Sequence, residues 1–229
     1  PDKVIFSKNI LDDLKRRDFT INSIAYNVKT GELIDPFFGV ADLARGVIKT
    51  VGQPLERFSE DGLRMLRAVR FHVELGFVLD SETEKAIFEN NHILQHISKE
   101  RIRDEFIKII MSKSPMVGIV MLNKLGLLSY IVPELTESIG IEQNQAHAYD
   151  VWTHLLKTVQ HSADKGYPLH VRLAALFHDI AKPATRRWDD QAKQWTFYGH
   201  EVIGSRVTRK ILENLKFSRE TIENVTNLV

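Results

Sequence analysis

From Pro54 onward the apolar residues of this chain recur at steps of three and four, a period that leaves little room for anything but helices packed on helices. Between Ser59 and Leu75, the residues Leu63, Leu66, Val69 and Val73 define one buried stripe, which predicts a single helix over that span. Arg64, Arg67 and Arg70, spaced by three, form a second stripe on it. Ser81 followed by Glu84 has the spacing of a capping box and predicts a helix over about 82–89. Ile102, Phe106, Ile109 and Ile110 continue the period; Ser114 and Pro115 open the next helix and Gly126 closes it. Four more helices are expected from HAYDVWTHLLKTVQHSADK, LHVRLAALFHDIAK, HEVIGSRVTRKILENL and SRETIENVTNLV. The second of these, spanning 169–181, is apolar on most sides and should be central. In all, eight or nine helices are expected here.

The first fifty residues read differently. INSIAYNV alternates like a strand, Gly31 supplies a turn, ELID can return as its partner, and GVIKTV is a further short strand before Gly52 and Pro54. With 43% hydrophobic and 27% charged residues, the 229-residue chain can bury a substantial core. No apolar run approaches the eighteen or so residues of a membrane span, so a soluble protein is expected. The absence of cysteine excludes disulfides and thiol nucleophiles, and agrees with a reducing cytoplasm. Any metal must therefore sit on His, Asp or Glu. A net charge of +1 carries no bulk polyanion signal, so nucleic-acid affinity would have to come from local patches. The first residue is Pro1 and the last ten run as an open apolar periodicity, which suggests a piece of a longer chain.

Three constellations carry chemistry. In LKRRDFTINSIAYN, the paired guanidiniums of Arg16 and Arg17 suit phosphate or ribose oxygens, with Asp18 able to hold one of them; the same residues also suit a solvated ion cluster. In FSEDGLRMLRAVRF, Asp61 and Arg64 are three apart and therefore neighbours on one helix face, with Arg67 and Arg70 next along the same side. A carboxylate acceptor beside a guanidinium donor can present an edge complementary to a base, with Arg67 and Arg70 reaching phosphates. An ordinary intrahelical ion pair, worth only about 0.2–0.5 kcal/mol, has the same spacing. In the C-terminal part, His147, Asp150 and His154 fall at three- and four-residue steps, His178 and Asp179 are adjacent, and His200 follows in YGHEVIG. These are ligands for a divalent ion, or histidines hydrogen-bonded inside a bundle.

Taken in order, RRDFTINSIAYN, DPFFGVADL with ARGVIKTVG, RFSEDGLRMLRAVRF and SKERIRDEFIKII resemble the tRNA nucleotidyltransferase and poly(A) polymerase family in its bacterial and eukaryotic class. The resemblance implies a mostly α fold: a small α/β remnant of a nucleotidyltransferase head over 1–53, a helical neck for base recognition over 54–140, and a helical body over 141–229. It further implies that Arg17 and Asp18 meet sugar and phosphate, that Asp61 and Arg64 pair with the incoming base, and that Arg67 and Arg70 assist at the phosphates. Glu100, Arg101 and Glu105 would brace the neck. The implied partners are tRNA, ATP and CTP, in an enzyme adding C and A to tRNA 3′ ends; a CC-adding enzyme, an A-adding enzyme and a poly(A) polymerase are the alternatives within the class. The family's Gly-Gly turn and the Asp-x-Asp pair for two Mg2+ ions are absent from residues 1–229, and Asp12 and Asp13 do not replace them. These residues alone are therefore expected not to catalyse addition. The body resembles the HD superfamily of metal-dependent phosphohydrolases, which implies His154, His178 and Asp179 as ligands of a divalent ion, with His200 or His147 able to complete the shell. The superfamily's closing aspartate has no counterpart before residue 229. A free-standing phosphohydrolase acting on nucleotides or RNA termini, and a noncatalytic RNA-binding module, are the rivals from other classes.

Overall fold

The computed structural model describes residues 9–143 and 149–229. The N-terminal part is built from α1 (Ile10–Lys15), a two-residue hairpin of β1 (Ala25–Tyr26) and β2 (Leu33–Ile34), α2 (Gly39–Arg45) and β3 (Val47–Ile48). The hairpin is antiparallel with Ala25 opposite Ile34, as INSIAYNV and ELID suggested. Gly39 starts α2 where a β-carbon would lie 2.1 Å from the Thr20 carbonyl oxygen, so no larger residue fits. The Asp35 carboxylate secures that start by accepting from the N–H groups of Gly39 at 2.7 Å and Val40 at 3.0 Å.

The expected helix over 59–75 is two helices. α3 (Pro54–Glu60) ends at Asp61, whose backbone is extended, and α4 (Leu63–Leu75) starts after Gly62. Gly62 lies so close to the Asn91–His96 turn that a β-carbon there would meet Ile93 Cγ2 at 2.9 Å. The chain then returns as β4 (Val78–Leu79), parallel to β3, which ties the N-terminal part to the helical region. α5 (Ser81–Asn90) is capped by Asp80, which accepts from Glu82 and Thr83, and not by the Ser81–Glu84 box. The carboxylate one residue earlier is the stronger acceptor for the same orphan donors.

α6 (Lys99–Met111), α7 (Pro115–Lys124), the single-turn α8 (Leu128–Ile131) and α9 (Pro133–Thr136), and α10 (Val151–Asp164) complete the neck and begin the body. The central helix expected over 169–181 is shorter: α11 (Leu169–Phe177) stops before His178, and α12 (Lys182–Thr185) restarts the chain. Pro183 has no N–H to continue the ladder, which accounts for the break. A hairpin unsuspected in the sequence follows, β5 (Arg187–Asp189) against β6 (Gln194–Thr196), and then α13 (His200–Asn214) and α14 (Arg219–Thr226). From Pro54 the described residues thus form nine helices of seven or more residues and three short ones.

One hydrophobic core runs from Phe19 through Phe58, Phe106 and Phe177 to Val225, crossing the divisions expected after residues 53 and 140. Among the described residues no helix is long and apolar enough to cross a membrane.

Candidate nucleotide cavity and metal centre

A cavity of about 550 Å³ lies where the end of α1, the Thr20–Asn22 turn and the starts of α4 and α6 meet. Five of the six residues expected at the nucleotide line it: Arg17, Asp18, Asp61, Arg64 and Arg67. Arg16, Asn22, Phe71 and Arg101 join them. The pairings inside it differ from those suggested by spacing. Asp18 does not hold its neighbouring arginines. Its buried carboxylate accepts from Phe19 N–H at 2.9 Å and Asn22 Nδ2 at 3.1 Å, and from Arg67 Nε at 2.6 Å across 49 residues. Arg16 and Arg17 are instead both held by Asp13, whose carboxyl lies below its ordinary value because of their hydrogen bonds, that of Arg17 first.

Asp61 and Arg64 do not share a helix face, because Asp61 sits in the break before α4. Asp61 Oδ1 accepts from Leu63 N–H at 3.1 Å, and Oδ2 accepts from Arg101 Nη2 at 2.7 Å. The Arg64 guanidinium donates to Glu60 at 2.7 Å and to the carbonyls of Arg57 and Arg16, both at 3.0 Å. The two side chains therefore face one cavity without pairing with each other.

Arg70 does not reach the cavity. Six residues at about 100° each place it about 120° around the helix from Arg64. Its guanidinium donates to the buried Glu105 at 2.7 Å and to Glu74 at 2.7 Å, bracing α4 against α6. Glu105 is a brace, as the resemblance implied; Arg101 ties α6 to the α3–α4 break through Asp61 and also lines the cavity. No local pattern could name its partner, which lies 40 residues away.

In the body, His154 on α10 and the His178–Asp179 pair after α11 converge, with one ligand atom of each lying within 4.8 Å of the others. His154 Nε2 is 3.0 Å from His178 Nε2, and these nitrogens stand 3.4 and 3.3 Å from Asp179 Oδ2. His178 Nδ1 lies 3.0 Å from the Ala175 carbonyl, a bond that calls for the proton on Nδ1 and fixes the angle of the ring. His200, at the start of α13, brings Nε2 to 3.3 Å from Asp179 Oδ1. Two imidazoles and a carboxylate gathered in this way are a ligand set that fits a divalent transition metal.

The carboxylate of the cluster also has a cationic partner within the protein. Lys182, itself buried, donates to Asp179 Oδ2 at 2.7 Å and to Gln143 Oε1 at 2.6 Å. Burial pushes the Asp179 carboxyl up, but the hydrogen bonds and charges of His178 and Lys182 outweigh it and hold the group far below its ordinary value. The Asp-x-x-Lys spacing in HDIAK is the signal by which Lys182 could have been found. Asp150 is not at the centre: it caps α10, accepting from Thr153 N–H at 2.9 Å and from Gly140 N–H at 3.0 Å. His147 lies outside the described residues.

Family models match three stretches: a "Poly A polymerase head domain" over residues 1–49, a "Probable RNA and SrmB- binding site of polymerase A" over 76–139, and an "HD domain" over 146–229. A CC-adding tRNA nucleotidyltransferase of Thermus thermophilus is 34% identical over 226 residues, 95% of this chain and 51% of that protein. An A-adding tRNA nucleotidyltransferase of Deinococcus radiodurans is 34% identical over 235 aligned positions, covering 100% of this chain and 54% of that protein. The crystal structure of the Bacillus stearothermophilus CCA-adding enzyme in complex with CTP is 30% identical with a TM-score of 0.56, covering 97% of this chain and 60% of that one. The Thermotoga maritima CCA-adding enzyme complexed with tRNA, at 24% identity and a TM-score of 0.61, shares the fold over 96% of this chain and 57% of its own. The chain thus spans about half the length of the curated relatives it matches. By fold and by the order of these matches it is of the nucleotidyltransferase class. It belongs to the tRNA nucleotidyltransferase and poly(A) polymerase family and carries an HD domain.

Proposed function

We propose that the whole protein adds C and A residues to tRNA 3′ ends in the cytoplasm, using CTP, ATP and Mg2+, and that residues 1–229 supply its base-recognition neck and its helical body. The observation that carries this reading is the gathering of Arg17, Asp18, Asp61, Arg64 and Arg67 around one cavity between the head remnant and the neck. Arg17 and Arg67 offer forks for phosphate and ribose oxygens, with Asp18 fixing the angle of Arg67. Asp61 and Arg64 offer an acceptor and donors for a base edge, once the base takes the place of Arg101 and Glu60 as their partners. Selection of a base in this way rests on the penalty for leaving a buried polar edge unpaired, about 1–3 kcal/mol. Magnesium would be held by the Asp-x-Asp pair characteristic of the family's head. In the full-length protein Arg64→Ala should weaken CTP and ATP relative to UTP and GTP. Incorporation ratios that stay unchanged across the four triphosphates would remove the basis for assigning the pair to base selection.

A second activity is supported by the body. His154, His178 and Asp179, with His200 beside them, would hold a divalent ion. Such an ion supplies a water acidified enough to attack phosphorus. The chain's own part is to orient the imidazoles, through the Ala175 carbonyl behind His178, and to keep Asp179 ionised through Lys182.

A further inference from the structure

Glu60, the last residue of α3, divides its carboxylate between two arginines, of which only Arg64 lines the nucleotide cavity. Its Oε2 accepts from Arg64 Nη1 at 2.7 Å and its Oε1 from Arg57 Nη2 at 2.5 Å. Arg57 lies one turn earlier on α3, and its side chain is 12% exposed against 46% for Glu60. It is fixed in place from a second side, because its Nη1 donates to the Lys15 carbonyl at 3.2 Å, at the end of α1. Its Nε is buried and has no hydrogen-bond partner among the described residues. A guanidinium held in this way depends on the one carboxylate it has, so its hold on Glu60 is strong. Arg64 does not depend on Glu60 to the same degree: the carbonyls of Arg57 and Arg16, both at 3.0 Å, also hold it.

A base that takes the place of Glu60 on Arg64 releases a carboxylate next to an incoming triphosphate. Left without a partner, that carboxylate would repel the phosphates and compete with the base for Arg64. Because its two oxygens belong to two guanidiniums, Glu60 can give up Arg64 and remain paired on Arg57. We propose that Arg57 is a positioning residue for base selection, which retains Glu60 while Arg64 turns to the base. The proposal rests on the reading of Asp61 and Arg64 as the base-selecting pair, and adds to it a residue that lies outside the cavity lining. An ion pair at this spacing is common within helices. What distinguishes this one is the carboxylate shared with Arg64 and the anchor on Lys15, which joins it to the N-terminal part.

Steady-state incorporation of CTP and ATP by the full-length protein provides the test. Arg57→Met keeps the apolar stem and leaves Glu60 wholly to Arg64, so KM for both triphosphates should rise about tenfold with kcat little changed. Adding Glu60→Gln removes the competing charge and should return KM to within about twofold of the parent. Arg57→Lys, which keeps a cation for Glu60, should raise KM less than Arg57→Met does. Should the methionine variant fail to fold, Arg57→Gln makes the same test, since its amide can still reach the Lys15 carbonyl but carries no charge. A merely structural Arg57 would lower Tm and kcat together and leave the double variant no better than the single one. That result, or an unchanged KM in Arg57→Met, overturns the proposal. Arg64→Ala separates the two readings. If it alters the preference among the four triphosphates while Arg57→Met leaves KM as it was, the role of Arg57 falls alone; if it leaves the preference unaltered, the base-selecting pair falls and Arg57 with it.

Discussion

Replacing Arg70 by methionine tests whether its guanidinium braces the neck or serves the nucleotide. The substitution keeps the apolar stem and removes the charge that faces Glu105, whose side chain is 4% exposed, and Glu74, at 35%. The exposed pair contributes about 0.2–1 kcal/mol. Breaking a buried pair by removing one partner costs about 3–5 kcal/mol, because the other charge stays in a poor solvent. Here Lys108 remains on Glu105 at 2.8 Å, so the lower part of that range applies and the total comes to about 3 kcal/mol. For a chain of this size about 1 kcal/mol moves Tm by about 2–4 °C, so the expected fall is about 6–12 °C. Thermal unfolding followed by circular dichroism gives the number, and Glu105→Gln with the double variant gives the coupling between the two groups. The choice among the four triphosphates should be unaltered in the full-length enzyme. A Tm within about 2 °C of the parent, together with a changed preference among triphosphates, would refute the bracing role and return Arg70 to the nucleotide.

Three further outcomes are expected. Purified residues 1–229 should incorporate no labelled ATP or CTP into tRNA lacking its 3′ end, because the Asp-x-Asp pair is absent from them; addition by a preparation free of host enzyme would show that other acids do its work. Calorimetric titration with Mn2+ should show uptake at neutral pH that is lost in Asp179→Ala and weakens in acid, since coordination requires neutral imidazoles; no uptake by the parent would leave the body a purely structural or RNA-holding part. Asp150→Ala should cost about 1 kcal/mol at neutral pH through loss of the α10 cap. Burial works to raise this carboxyl, yet its bonds from Thr153 and Gly140 leave it lowered in the fold. Its contribution is therefore complete above the ordinary carboxylate range and lost as pH falls through the lowered value, so parent and variant should converge in stability in acid. A difference in urea midpoint that persists unchanged in acid would contradict the cap.

Helices were legible because burial imposes a period, and their interruptions were not, because the period passes through them. The stripe Leu63, Leu66, Val69 and Val73 has the right phase for α4, and extending it back to Ser59 hides the break at Asp61, where only Gly62 hints at a close approach. Three-residue strands such as β5 and β6 are too short to display alternation, so the tryptophan hairpin had no sequence signal. At the cavity, residue type and order identified Arg17, Asp18, Asp61, Arg64 and Arg67, while pairing could not be read. The partner of Asp18 is 49 residues away, that of Asp61 is 40, and only the fold brings them together. Arg70 was misread for a geometric reason: a spacing of three looks like a row on paper but spirals around a helix of 3.6 residues per turn.

The ammonium of Lys182 beside Asp179 has a consequence for how the body is made and how it can change. A centre whose acid is neutralised from within does not make folding wait on a metal, unlike small zinc domains whose unliganded state is unfolded. On the metal-binding reading proposed above, the body would reach its final shape before any ion is loaded. It also means that substitution of His154 or His178 leaves Asp179 still paired with Lys182 and not a bare carboxylate in the core. A variant lacking either imidazole should therefore keep the fold of the body.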